Sequence, residues 1–186
     1  GLVKPEDIPR FVGHIRKEAA RLITLIGDII RLSQLDEGVT MPKEPVDMLQ
    51  LCQEVTALLA QIALDKNVTL TLSGEGFTLS GVRHMLQELV YNLCDNAIRY
   101  NIPGGSVHIF AENNRIRVQD TGISIPIEHQ SRVFERFYRV DKSHSKEVGG
   151  TGLGLSIVKH AAVFLGAELT LQSTVGAGTT ITAQWK

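Results

Sequence analysis

The sequence predicts an α+β fold, a two-layer α/β sandwich in which helices cover one face of a mixed sheet, with one long amphipathic helix in front. Three observations predict it. Apolar residues recur at three and four over residues 8–30, 47–65, 82–100 and 154–165, the period of helices with one buried stripe. Short stretches between and after these helices alternate with period two, the signature of strands with one face buried. The chain of 186 residues, 43% hydrophobic, is sized for one core and a helical appendage. Interleaved helices and strands stack as layers.

The first helix carries Phe11, Val12, Ile15, Ala19, Leu22, Ile26, Ile29 and Ile30 on one side, and Arg16, Lys17, Glu18, Arg21, Asp28 and Arg31 on the others. Pro9 suits its first turn and Gly38 its end. Such a stripe packs on its own domain or meets a partner helix. "TMPKEPVD", residues 40–47, has two prolines and no periodicity, which places a domain boundary there: residues 1–39 before it, 45–186 after it. A second helix follows over 47–65. "VTLTLSG" and "FTLSG" then alternate as strands, and a third helix runs over 82–100. "VHIFAENNRIRVQD" reads as a hairpin turning at Asn113 and Asn114, which both tolerate a left-handed backbone. A short helix over 127–136 and the helix after the glycine-rich stretch come next. "ELTLQSTVGAGTTITAQW" closes the sequence as two strands about a glycine turn.

Charge nearly balances, 19 Lys+Arg against 20 Asp+Glu, so no basic field for nucleic acid exists and an anionic ligand has to be met locally. Cys52 and Cys94 sit in apolar periodic stretches, as buried reduced thiols do, which favours a cytoplasmic setting. No stretch reaches the roughly 20 apolar residues that cross a bilayer, and no signal-peptide order opens the sequence.

Four constellations carry chemistry. In "ELVYNLCDNAIRY", Glu88, Asn92 and Asn96 lie four apart and stack on one stripe beside the apolar Leu89, Leu93, Ala97 and Ile98. Asparagine disfavours helix interiors, so two of them suit neutral oxygen ligation of a hard cation such as Mg²⁺ beside phosphates; a solvated polar face is the plain alternative. In "RVQDTGISIP", Asp120 and Gly122 mark where a strand breaks: the carboxylate can accept from an exocyclic amine and the glycine can admit a flat ring, although Asp-Thr-Gly is also an ordinary turn. "RVFERFYRVDKS" joins Phe134, Phe137 and Tyr138 to Arg132, Arg136 and Arg139, and "DKSHSKEVGG" after it lacks apolar anchors, as a lid does. Finally "VGGTGLGLSIVKHAAVFLG" sets Gly149, Gly150, Gly152 and Gly154 at a helix start, where free amides and the dipole favour an anion.

In that order and spacing the four segments resemble the ATP-binding domain of sensor histidine kinases, in the superfamily that includes gyrase and mismatch-repair ATPases. "NLCDNAIRY" resembles the asparagine motif, "DTGIS" the first glycine motif, "FERFYR" the phenylalanine motif, "GGTGLGL" the second glycine motif and "GAGTT" a third. The likeness spans residues 45–185. Upstream, "FVGHIRKEAARLITLIGDIIRLSQLDEG" resembles the second helix of the family's dimerisation hairpin.

The resemblance implies Asn96 as the Mg²⁺ ligand bridging ATP phosphates, with Asn92 and Glu88 supporting it. It puts Arg99 near the phosphates, Tyr100 beside the nucleotide, Asp120 on the adenine amine, Gly122 under the ring and Thr179 at the adenine edge, with Ile125 in the same pocket. Arg139 would reach the terminal phosphates, so Glu88, Asn92 and Arg139 form the implied catalytic set. Residues 140–149 would be the lid, and Gly150, Thr151, Gly152, Leu153, Gly154 and Leu155 the phosphate-facing helix start. The implied partners are ATP, the phosphoacceptor hairpin and a response-regulator receiver domain, within a homodimeric, membrane-bound parent that holds this part in the cytoplasm.

Two departures stand out. Ser124 replaces the last glycine of the Asp-x-Gly-x-Gly pattern. None of the six histidines has the acidic neighbour and the threonine-proline context of a phosphoacceptor, so the acceptor is expected on a hairpin helix preceding Gly1. Three functions compete: the catalytic half of a histidine kinase, a degenerate module kept for nucleotide binding or dimerisation, and a nucleotide-driven clamp. The clamp needs an activating glutamate where Asn92 stands.

Overall fold

The computed structural model describes residues 4–36, 41–140 and 151–186. Helix α1, Ile8–Asp36, follows a single 3₁₀ turn, Pro5–Asp7. Its expected stripe faces solvent: Phe11, Val12, Ile15, Leu22 and Ile26 are all about half exposed or more. A different residue, Leu25, packs α1 against the domain that follows. Gly38, the expected helix end, lies outside the described residues.

The aperiodic segment before the second helix is not simply a linker. Glu44–Asp47 forms strand β1, paired antiparallel with β3, Thr78–Gly81. Four residues are too few to display alternation, and Pro45 is tolerated because this two-stranded ribbon leaves an edge free. Asp47 then caps α2, Met48–Asp65, its carboxylate accepting from the amides of Leu49 at 2.9 Å and Gln50 at 3.0 Å.

The main sheet has the order β2-β4-β5-β7-β6, from Thr69–Ser73, Ser106–Glu112, Arg115–Asp120, Gly178–Gln184 and Glu168–Thr174. Only β2 and β4 run parallel; the other pairs are antiparallel. The β4–β5 turn falls at Asn113 and Asn114, with φ of 52° and 54°, the two left-handed residues that a two-residue hairpin of this twist requires.

Helices α2, α3 (Arg83–Arg99) and α5 (Gly154–Leu165) lie against this sheet, with α3 between the other two. Their inward residues, including Leu51, Leu59, Met85, Leu89, Leu93 and Ile157, are fully buried, and alternate residues of β4 and β5, Val107, Ile109, Ile116 and Val118, meet most of them from below. Cys52 and Cys94 are free thiols within this core. The fourth helix is shorter than its sequence suggests: α4 spans Ile127–Gln130 and gives way to successive turns, in which the Arg132 and Glu135 amides donate three residues back, to the His129 and Arg132 carbonyls.

Candidate functional site

A narrow cleft opens between α3 and the centre of the sheet, lined by Leu93, Asn96, Ala97, Val118, Asp120 and Ile181. Asp120 ends β5 and is nearly buried, 9% exposed. Its Oδ1 accepts from the backbone amides of Gly122 at 2.9 Å and Thr179 at 3.2 Å. Burial pushes its carboxyl above the ordinary aspartate range, and the two amide bonds partly offset this. One carboxylate oxygen is thus locked to the backbone, which fixes the plane in which the other meets a ligand.

Gly122 is required by the protein itself. A Cβ there would overlap the Tyr100 carbonyl oxygen, which also accepts from the Ile123 amide at 2.9 Å. The loop after β5 therefore crosses directly over the end of α3. Thr179, on the neighbouring strand, is buried with its hydroxyl 2.9 Å from Ser173 Oγ. Ile125 lies in the same loop and packs partly against the core.

On α3, the Asn92 side-chain amide donates to the Glu88 carbonyl at 2.8 Å, so its oxygen is turned outward. That oxygen sits 3.3 Å from where a Cβ on Gly154 would lie. The stripe of Glu88, Asn92 and Asn96 is half-buried along its length. Arg99 and Tyr100, at the end of the same helix, behave differently. Arg99 Nε donates to Asp95 Oδ2 at 2.6 Å; burial pulls the guanidinium down, but Asp95 outweighs it and the group stays above its ordinary value. In this state Arg99 is committed to Asp95.

Residues 151–154 form the start of α5. Leu153 is fully buried beside Ile157, Leu155 packs inward, and among the described residues no side chain caps the helix terminus, which leaves its first amides available to an anion. Gly152 has a φ of 76°, and its carbonyl accepts from the Phe137 amide at 2.9 Å. This bond ties Phe137, the residue after the helix expected over 127–136, to the segment leading into α5. Arg139 follows, half-buried. Between them Tyr138 is held on two sides: its hydroxyl lies 2.6 Å from His129 Nδ1, and the Arg132 guanidinium sits 4.3 Å over its ring. Thr151 precedes the helix, with its hydroxyl accepting from the Leu153 amide at 3.3 Å. Of the lid expected over 140–149 only Val140 is described, and it is exposed; residues 141–149 and Gly150 lie outside the described residues.

The fold thus gathers three chemistries that are far apart in sequence. An oriented carboxylate sits at the end of β5, amide oxygens sit on α3, and open amides start α5 beside Asn92. Neutral oxygens of Asn92 and Asn96 with Glu88 nearby suit a hard cation that shares its shell with phosphates and water. Among the described residues no group of three His, Cys, Asp or Glu could hold a metal by itself.

Sequence reasoning missed three supporting residues. Ser173 Oγ accepts from the Ile125 amide at 2.8 Å, Gln130 donates to the carbonyls of Ile125 and Ser173 at 2.9 Å each, and His129 holds Tyr138. The Ser173 contacts to Ile125 and Gln130 join positions more than forty residues apart, so no local pattern announces them.

Residues 81–186 match the family described as histidine kinase-, DNA gyrase B- and HSP90-like ATPase. The sensor-like histidine kinase SenX3 of Mycolicibacterium smegmatis is 36% identical over 184 residues, 96% of this chain and 48% of SenX3. The chain therefore spans about half the length of that relative. Full-length ShkA in complex with AMPPNP superposes with a TM-score of 0.79 at 22% identity, covering 94% of this chain and 38% of ShkA. Histidine kinase ThkA in complex with the response regulator protein TrrA gives 0.75 at 21%, covering 97% of this chain and 52% of ThkA. With the matched motifs converging on one cleft, the chain belongs to the histidine kinase-, DNA gyrase B- and HSP90-like ATPase family, and its relatives there are sensor histidine kinases.

Proposed function

We propose that this chain binds Mg·ATP in the cleft and, in the intact protein, transfers the γ-phosphoryl group to a histidine of a dimerisation hairpin, from which a receiver-domain aspartate takes it. The observation that carries this reading is the approach of Asn92 to the first residue of α5, opposite an Asp120 locked by Gly122 and Thr179. Asp120 accepts the exocyclic amine of adenine, with Thr179 at the same edge. The open amides at Gly154 and Leu155 face the phosphates, and Arg139 approaches the terminal one. Asn96, with Asn92 and Glu88, would hold Mg²⁺, which supplies charge neutralisation on the phosphates. The acceptor nitrogen attacks the γ-phosphorus in line as the bond to the β-bridging oxygen breaks and ADP leaves, so the protein's part is positioning and electrostatics.

The catalytic reading is favoured over a degenerate module by the relatives, which are named as histidine kinases, and by Ser124 itself. Its hydroxyl turns to the β6–β7 backbone instead of lining the cleft. ShkA was captured with an ATP analogue and ThkA with a response regulator, which supports the same ligand class and partner class here. The proposed setting is the cytoplasmic side of a membrane-bound parent, where ATP is supplied. Titration with a fluorescent ATP analogue, with and without Mg²⁺, tests the reading: saturable binding is expected, and Asn96→Ala should remove its Mg²⁺-dependent part. No binding up to millimolar nucleotide would overturn it. Phosphate appearing on a separately supplied hairpin bearing the acceptor histidine would establish transfer.

A further inference from the structure

The residue that breaks the family pattern is used as a bolt. Ser124 Oγ donates to the Thr174 carbonyl at 2.6 Å and accepts from the Gly178 amide at 3.2 Å, fastening the loop after β5 to both ends of the β6–β7 turn. One position along, the Ile125 amide donates to Ser173 Oγ at 2.8 Å, and that hydroxyl lies 2.9 Å from Thr179 Oγ1 and 3.1 Å from the Gly178 carbonyl oxygen. Gln130 closes the set through the carbonyls of Ile125 and Ser173. The chain of bonds ends on the Thr179 amide, which donates to Asp120 Oδ1.

A glycine at 124 could make neither of the Oγ bonds. The loop and the turn would then be joined only through Ser173 and Gln130. That matters because Gly178 and Thr179 sit at the start of β7, where Thr179 pairs with Asp120 across the ladder. The loop, the turn and the carboxylate form one hydrogen-bonded unit at the base end of the cleft.

We propose that Ser124 and Ser173 are positioning residues for base selection: they hold the start of β7, and with it the Thr179 amide, against Asp120, and so set the orientation in which the carboxylate accepts a 6-amino purine. The inference rests on the proposed ATP site. It predicts a selective loss. A purine with a 6-amino group depends on the aligned carboxylate, whereas a 6-oxo purine such as that of ITP has no amine to present to it.

The test is calorimetric titration of the whole chain with Mg·ATP and Mg·ITP, for the parent sequence and for Ser173→Ala, Ser124→Gly and Ser173→Thr, with thermal melts run alongside. Ser173→Ala should weaken ATP about fivefold to tenfold and leave ITP nearly unchanged, the scale of one or two lost hydrogen bonds. Ser124→Gly should shift the ATP to ITP ratio the same way by about twofold to fivefold, and Ser173→Thr, which keeps the hydroxyl, should retain the ratio. Equal weakening of both nucleotides would reduce the residues to a structural role and overturn the inference, as would an unchanged ratio in both hydroxyl-removing variants. If the parent sequence binds neither nucleotide, the ATP reading falls with it; if it binds ATP and only the variants disappoint, the ATP reading stands and this inference alone fails.

Discussion

Asp120 shows how one side chain can be costly to the fold and necessary to the site. Its carboxyl is raised because burial disfavours the charged form. A raised folded value means that the native state holds its proton longer than the unfolded chain does. Stability from this group is therefore greatest below the ordinary aspartate value and declines as pH rises through the interval between that value and the raised one. Asp120→Asn removes the charge and keeps an oxygen for the Gly122 and Thr179 amides. It is expected to melt at the same temperature or higher at pH 7, while its amide nitrogen faces the adenine amine and ATP affinity falls at least about tenfold, the weight of a charged hydrogen bond replaced by two opposed donors. A variant that binds ATP as the parent does would remove Asp120 from the site. The place of this residue was readable in advance, since a carboxylate where a strand breaks at Asp-Thr-Gly is a local feature. The reason for Gly122 was only half readable. The sequence signals that a side chain is excluded there, but the excluding group is the Tyr100 carbonyl, placed by the end of α3.

At the scale of elements, the junction of α3 and α5 is where the phosphates are proposed to lie. Gly154→Ala puts a Cβ 3.3 Å from Asn92 Oδ1, tight enough to displace the amide. Alanine also favours a helical backbone by up to about 1 kcal/mol over glycine. The two effects separate: thermal stability should hold or rise while Mg·ATP affinity falls severalfold, read by melting and titration on the same sample. Long elements were legible because their periods repeat. The sequence reading of α2 and α3 falls within a residue of the observed ends, with Asp47 and Val82 before them as caps. Strand β1 was not legible, since four residues with a proline carry no periodicity and exist only because β3 comes alongside. The early end of α4 was not legible either: the Arg132, Glu135 and Tyr138 amides bond three residues back, and propensity within the segment does not foresee that switch to turns.

For the whole molecule, the core between the helical layer and the sheet determines stability. Leu89 is fully buried at its centre, and Leu89→Ala should cost about 3 kcal/mol in denaturant unfolding, a large fraction of a domain's total. Both thiols report on the same core. Burial pushes Cys52 up to about 12 and Cys94 well above the ordinary thiol range, so neither offers thiolate at neutral pH. Labelling by a thiol reagent is expected to follow global unfolding, its rate rising with denaturant in step with the circular-dichroism transition; rapid labelling of native protein would contradict the packing. The long exposed stripe of α1 was correctly read as amphipathic, but its contact with the domain runs through Leu25, at the stripe's edge, while Leu22 and Ile26 beside it stay exposed. Periodicity identifies that a face is apolar, and only the assembled domain decides which face it uses.

The hydrogen bond from Phe137 to the Gly152 carbonyl has a consequence for tolerance to change. It fixes the two ends of the intervening chain at one point, so the entropy of closing that loop is largely settled by the bond and grows only logarithmically with what is inserted; doubling the loop adds about 0.6 kcal/mol. Added length between these two residues is thus cheap for the sandwich provided that Tyr138, Arg139 and Thr151 keep their places, and a short reporter peptide inserted there is expected to leave thermal melting nearly unchanged.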